Sequence, residues 1–506
     1  MKLKNISKVS AVLLLVFALG GCADFLDVNK SPNSPEDVPL NTLLPSALVS
    51  AGFANANELN RFGATVSDYL YGAGGSPANY DTYVLTGGDF GNQWTGEIWN
   101  GGLIQCRQII EKGTETGANN YVGVAKIVQA YMWAMTTDIW GDIPYSQALQ
   151  GDVGVTRPEL DSQEDIYKGN ASKGIVGLFD QIREGLAALD QPTILTMGAD
   201  DVVYGGNLAN WKKAGNTLML RLAMTISAKD PAYATTVINE VITKNDFIST
   251  NAQNFSVKFG TAVGSQSPTY SYMFVTTFQN ELIVSSRYLN LLQNGTPAVT
   301  TDDDPRLPLF LKKGSASTTY VTFENGFRGT LPATNTFTKW GDAVLGANGA
   351  GPVKLVTNAG RAFMLAEAIV TLGVTVPGQT AQSLYYEGIK ASLAEAGVAT
   401  ADQNTYAGAT LATATAVATL SGTTSEMQNQ IITQKYIAMT GNGLEAWNDI
   451  RRTGFPAFTQ VEHANAAGED GKRPLRARYP DADIARNPNL GAAVKKTNQP
   501  VWWDAN

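Results

Sequence analysis

The chain has 506 residues, 44% of them hydrophobic and 16% charged, with a formal charge of −8. This is enough apolar matter for one large or two ordinary domains, and it is not the composition of a disordered chain. An acidic chain without a basic run is a poor candidate for binding nucleic acid. The single histidine, His463, excludes multi-histidine metal sites and leaves a histidine-based triad without support.

The chain opens as a secretory leader. Lys2, Lys4 and Lys8 precede an apolar run from Val9 to Leu19, too short to span a bilayer but right for a signal segment. Gly20-Gly21-Cys22 then resembles a lipobox, which predicts cleavage before Cys22 and acylation of its thiol. Two or more acyl chains give stable anchoring. Residues 1–21 are therefore read as a lipoprotein signal peptide and 22–39 as a tether rich in Asp, Asn and Pro. No later run reaches spanning length. Besides Cys22 there is only Cys106, read as a buried thiol.

Helices are expected at 40–56 and 58–70, followed by a ring-rich loop, 71–94, holding Tyr71, Tyr80, Tyr83, Phe90 and Trp94. Helical period returns with Trp94, Ile98, Ile104 and Ile109, and then with Val124, Ile127, Val128, Tyr131 and Met135. Gly141 and Pro144 end that run. Further helices are expected at about 173–190, 207–228 and 231–244. Residues 246–357 break the pattern: Gly, Ser, Thr and Asn are dense, and only 280–293 has helical period. A short strand is expected around Thr319–Phe323. Asp302-Asp303-Asp304 reads as turn and cap chemistry, since consecutive side chains do not converge on a cation. Helices resume at 359–373, 380–396, 425–440 and 443–452, with 398–423 a low-complexity Ala/Thr linker. His463, in the polar run Glu462-His463-Ala464-Asn465, reads as an exposed loop residue. Paired helices of 12–18 residues with short links point to a mainly α fold of tetratricopeptide-type hairpins. A loop-rich, irregular part with a few short strands completes it.

Several stretches together resemble the SusD/RagB family of nutrient-binding outer-membrane lipoproteins. They are Phe25-Leu26-Asp27-Val28-Asn29 after Cys22, Trp140-Gly141-Asp142-Ile143-Pro144-Tyr145, Arg221-Leu222-Ala223 and Asp304-Pro305-Arg306. Leu365-Ala366-Glu367-Ala368, Tyr385-Tyr386-Glu387-Gly388-Ile389 and Gln434-Lys435-Tyr436 follow. Glu445-Ala446-Trp447, Arg451-Arg452-Thr453-Gly454-Phe455-Pro456, Arg478-Tyr479-Pro480, Asn487-Pro488-Asn489 and Trp502-Trp503-Asp504 complete the set. The resemblance implies a single SusD-like domain over 40–506, with the helical scaffold at about 40–245 and 358–456 and the loop-rich insertion at about 246–357. It also implies a cell-surface protein, lipid-anchored in the outer membrane, that caps a SusC-like TonB-dependent barrel and traps oligosaccharide or peptide nutrients for uptake. The motif residues themselves read as packing, capping and ion pairing; Arg451 and Arg452, for example, sit in the last turn of a helix, where cations suit the dipole.

No phosphate loop or dinucleotide fingerprint is present, and no cofactor or metal is implied. A non-enzymatic binder is the leading expectation. The alternatives are a surface glycoside hydrolase using paired carboxylates and a purely structural assembly subunit. Sugars offer flat C–H faces to rings and hydroxyls to polar side chains, which suits the ring-rich loops. The candidate ligand-binding residues are Tyr71, Tyr80, Tyr83, Tyr272, Tyr320 and Trp340, expected to share one concave face.

Overall fold

The computed structural model describes residues 38–293 and 303–505. The leader, Cys22, nearly all of the tether and Asp302 lie outside the described residues. Helices α1 (Leu40–Ala56) and α2 (Glu58–Val66) come first. Strand β1 (Leu70–Gly72) and helix α3 (Gly75–Asp81) occupy part of the stretch expected to be loop. A π-helical segment, Gln93–Leu103, runs directly into α4 (Ile104–Thr116). Then come α5 (Asn119–Trp140), α6 (Leu178–Ala188), α7 (Leu208–Ile226) and α8 (Pro231–Lys244). The loop-rich part holds β2 (Phe255–Val257), β3 (Leu282–Val284), α9 (Ser286–Gln293), β4 (Leu311–Lys312), β5 (Lys339–Trp340) and β6 (Val353–Val356). The scaffold resumes with α10 (Asn358–Leu372), α11 (Ala381–Ala396), α12 (Thr400–Ala407), α13 (Thr424–Ala438) and α14 (Gly443–Thr453).

Local chemistry sets many of these ends. Asp230 accepts from the Tyr233 amide at 3.1 Å, and Pro231 takes the first position of α8, where an N–H would have no partner. Thr423 and Glu426 cap α13 reciprocally. The apolar stripe of α5 is buried in full, and α4 packs against α5, α7 against α8 and α10 against α11. Chain order is closed by α14 lying on α2. Gly63 and Gly443 meet there with no room for a side chain: a Cβ on Gly443 would fall 2.1 Å from the Ala64 amide nitrogen.

Three two-stranded antiparallel sheets fix the loop-rich part. β2 pairs with β6, so the insertion leaves and re-enters the scaffold at one place. β1 pairs with β3 (Leu70 opposite Val284), tying the insertion to the end of α2. The strand expected at Thr319–Phe323 is reduced to isolated bridges from Val321 to Phe337 and Phe323 to Ser285. The Ala/Thr stretch 398–423 is no linker. Its first half forms α12, Val417 and Ala418 are buried, and Tyr406 donates to Asp304 at 2.9 Å. Small residues there allow close packing, which composition alone does not distinguish from flexibility.

The resemblance motifs converge on a buried charge network. Glu445 accepts from Arg221 at 2.7 Å and from Lys435 at 2.8 Å. Glu367 receives both forks of Arg452 at 2.7 Å, and Asp449 bridges Arg452 and Lys435. The Arg451 guanidinium lies 3.5 Å from the centroid of Trp447 and 4.5 Å from that of Trp503, which holds the chain's C-terminal stretch in the core. Asp304 clamps a fully buried Arg306. Cys106 is buried on α4, and burial pushes its thiol up to about 12.

His463 corrects the expectation of an exposed loop residue. It is buried, its ring stacked on Tyr83, with Nδ1 2.8 Å from the Asp81 carbonyl and Nε2 on the Asp68 carboxylate. Its partners lie nearly 400 residues away, beyond what a polar local sequence can report.

Candidate ligand-binding site

The start of α3 (Gly75, Ser76) and the strip 271–281 face α1 and α2 across a groove of about 530 Å³, a size within the usual range for small-molecule sites. Its wall is a layered stack. Tyr272, on a π-helical turn (Ser271–Val275), packs against Phe278 with ring centroids 5.7 Å apart and an interplanar angle of 18°. The Arg61 guanidinium lies 4.0 Å from the Tyr272 centroid. Phe278 is 50% exposed, and Phe53, across the groove on α1, is 38% exposed. Such rings offer flat apolar faces bordered by polar groups.

The polar groups are pre-oriented. Glu58 pairs with Arg61, one turn along α2, and accepts from Tyr80 at 2.8 Å. Glu281 accepts from the Tyr272 hydroxyl, whose own proton is held more tightly because of burial and that carboxylate. Asn57 caps the far end, donating to Glu97 at 2.6 Å and accepting from Arg61 at 2.8 Å. The groove therefore presents open ring surface between carboxylate and guanidinium groups held by their neighbours.

Of the six rings expected to share a face, Tyr272 lines this groove. Tyr80 is fully buried and reaches it only through the hydrogen bond to Glu58. Tyr71, Tyr83 and Trp340 are also buried: Tyr71 donates to the Phe327 carbonyl at 2.9 Å, Tyr83 stacks on His463, and Trp340 packs against Tyr69. Tyr320 is half-buried elsewhere, under Lys313. Rings buried in the core have no face left for a ligand, so Tyr71, Tyr80, Tyr83 and Trp340 serve packing. Sequence reasoning missed Phe278, Phe53, Arg61 and Glu58. The available signal was Val49 and Phe53, an apolar pair one turn apart on the outward side of α1, both exposed.

The family model described as "Starch-binding associating with outer membrane" matches residues 32–480, most of the chain. The chain belongs to the SusD-like family. No curated protein matches it. Solved SusD-like structures superpose over nearly its whole length. A SusD homologue from Bacteroides uniformis has a TM-score of 0.74 at 21% identity, covering 93% of this chain and 100% of its own. A chitin-binding SusD homologue from Flavobacterium johnsoniae has a TM-score of 0.73 at 22% identity, covering 92% and 98%. Identities this low establish a shared SusD-like fold. Among the described residues no helix is long and apolar enough to cross a membrane.

Proposed function

We propose that this protein binds an oligosaccharide in the groove beside Phe278, as a surface lipoprotein anchored through Cys22, and delivers it to a SusC-like TonB-dependent barrel. The observation that carries the reading is a half-exposed ring, stacked on Tyr272 and flanked by Arg61, Glu58 and Glu281, in a groove of about 530 Å³. Sugars are favoured over peptides because the family description names starch and a structural relative is named as chitin-binding. Binding without cleavage is expected, since both carboxylates of the groove are already engaged, Glu58 by Arg61 and Tyr80 and Glu281 by Tyr272.

Titration of starch- and chitin-derived oligosaccharides tests this. Phe278→Ala should weaken binding by about 1–3 kcal/mol, as for an exposed anchoring aromatic, and the oligosaccharide should be recovered intact. Unchanged affinity in Phe278→Ala sinks the groove. Cleavage products that disappear in Glu281→Gln would favour a hydrolase. For the anchor, Cys22→Ala should leave protein that no longer partitions with outer membranes, and gentle detergent extraction should recover the wild-type chain with its barrel.

A further inference from the structure

The strip 271–281 walls a second cavity, of about 410 Å³, through Phe274, Gln279 and Asn280. Three cations surround it. Lys312 and Lys339 lie 5.8 and 5.0 Å from the centroid of Phe274. Lys313, next to Lys312, sits 4.9 Å from the centroid of Tyr320. Among the described residues none of the three forms an ion pair with a carboxylate, their contacts being rings and the Met273 carbonyl, and no carboxylate lines the cavity. Asp303 acts on the Tyr320 hydroxyl beside Lys313 but is not part of the cavity wall, so in a chain with 45 acidic and 37 basic residues the wall itself carries a positive cluster.

Like charges around one cavity repel each other, and an anion placed among them relieves that repulsion. Lys339 is the most telling member. It is half-buried at the base of β5, its Nζ fixed by donation to the Met273 carbonyl at 2.6 Å, and burial holds its ammonium below the ordinary lysine range. A cation that has lost water without gaining a counter-ion is arranged for one that arrives with a ligand. The remaining wall, with Gln279, Asn280, Ser315 and Asn335, offers amides and a hydroxyl suited to sugar hydroxyls.

We propose that the ligand class is an acidic oligosaccharide, whose carboxylate or sulfate group enters the lysine cavity while a neighbouring sugar rests on Phe278 across the shared strip. This rests on the glycan reading of the groove.

The purified protein is titrated with an oligogalacturonate, a sulfated galactan oligosaccharide, a neutral galactan oligosaccharide of equal length and an oligoglutamate peptide. One or both acidic sugars should bind roughly tenfold or more tightly than the neutral one at low salt. The margin should collapse between about 0.05 and 0.5 M salt. Which acidic sugar wins separates carboxylate from sulfate. The triple variant Lys312→Gln, Lys313→Gln, Lys339→Gln should erase the margin, bringing acidic affinity down to that of the neutral sugar. If it unfolds early, the exposed pair Lys312→Gln, Lys313→Gln is read instead and should remove most of the margin. Equal binding of neutral and acidic sugars, no binding of any of them, a margin that survives the variants, or oligoglutamate binding as well as the sugars overturns the proposal. Phe278→Ala separates the two readings. Loss of neutral and acidic binding together supports both sites, whereas acidic binding that resists Phe278→Ala but fails in the lysine variants keeps the anion cavity and sinks the groove.

Discussion

Arg452 in the helical scaffold and Lys313 in the loop-rich part carry the same charge in opposite settings. Arg452 is buried and saturated, with both forks on Glu367 and a third contact to Asp449. Lys313 is exposed, lies over a ring and, among the described residues, is paired with no carboxylate. The aromatic side chains divide in the same way: Trp447 and Trp503 enclose Arg451 in the core, whereas Phe278 keeps half its surface open. Residue type therefore does not tell binder from scaffold here. What separates them is whether a partner inside the chain already satisfies the group. A satisfied group fixes the fold, and an unsatisfied one at a cavity is available to a ligand.

Disturbing a satisfied group should have the largest effect. Glu445→Gln should cost about 3–5 kcal/mol, because Arg221 and Lys435 stay buried beside a neutral amide. Tyr80→Ala should cost a similar amount, about 3–5 kcal/mol, as for other buried aromatics. Urea midpoints check both; a loss below 1 kcal/mol, roughly the level of an exposed pair, would mean for Glu445→Gln that the charge network does not stabilise the scaffold, and for Tyr80→Ala that its ring is not part of the core.

Acid should act on the same network. Burial pushes Glu367, Glu445 and Asp68 upward, but Arg452 for the first, Arg221 and Lys435 for the second, and His463 and Arg473 for the third outweigh it. All three are held below the usual carboxylate range. Such groups stabilise fully above the unfolded-chain value of about 4 and lose that contribution as pH falls through their lower folded values. Asp81 and Asp138, raised by burial, act in the opposite sense, losing stability as pH rises from about 4 through their folded values. The urea midpoint should fall below pH of about 4, and fall less steeply in Glu367→Gln. A flat acid limb would contradict the pairing.

A smaller effect is expected where backbones meet. Gly443→Ala places a Cβ against the Ala64 backbone and should cost about 1–3 kcal/mol as α14 is pushed off α2. Differential scanning calorimetry reads it, and an unchanged midpoint would show that the two helices yield freely. Smallest in stability should be Phe278→Ala, within about 0.5 kcal/mol, as for a surface substitution, even though it is expected to weaken ligand binding. A large loss of stability there would place Phe278 with the scaffold.

Most of the long helices and their order were legible in local sequence, whereas α3 and α12, in stretches without helical period, were not. Apolar spacing such as Val124, Ile127, Val128, Tyr131 and Met135, and end signals such as Asp230-Pro231, act within a few residues, so α5 and α8 stand where periodicity put them. The change of character over 246–357 was legible too, because a loss of helical period is local. Tertiary structure alone decided which rings face solvent and which charges are paired. Tyr83 and Phe278 sit in equally polar stretches, yet the first is covered by His463, 380 residues along the chain, and the second is left open. The groove is likewise a meeting of α1, α2 and the strip 271–281, joined by the pairing of β1 with β3. Burial and pairing are set by contacts between segments far apart in sequence, and local patterns carry no record of them.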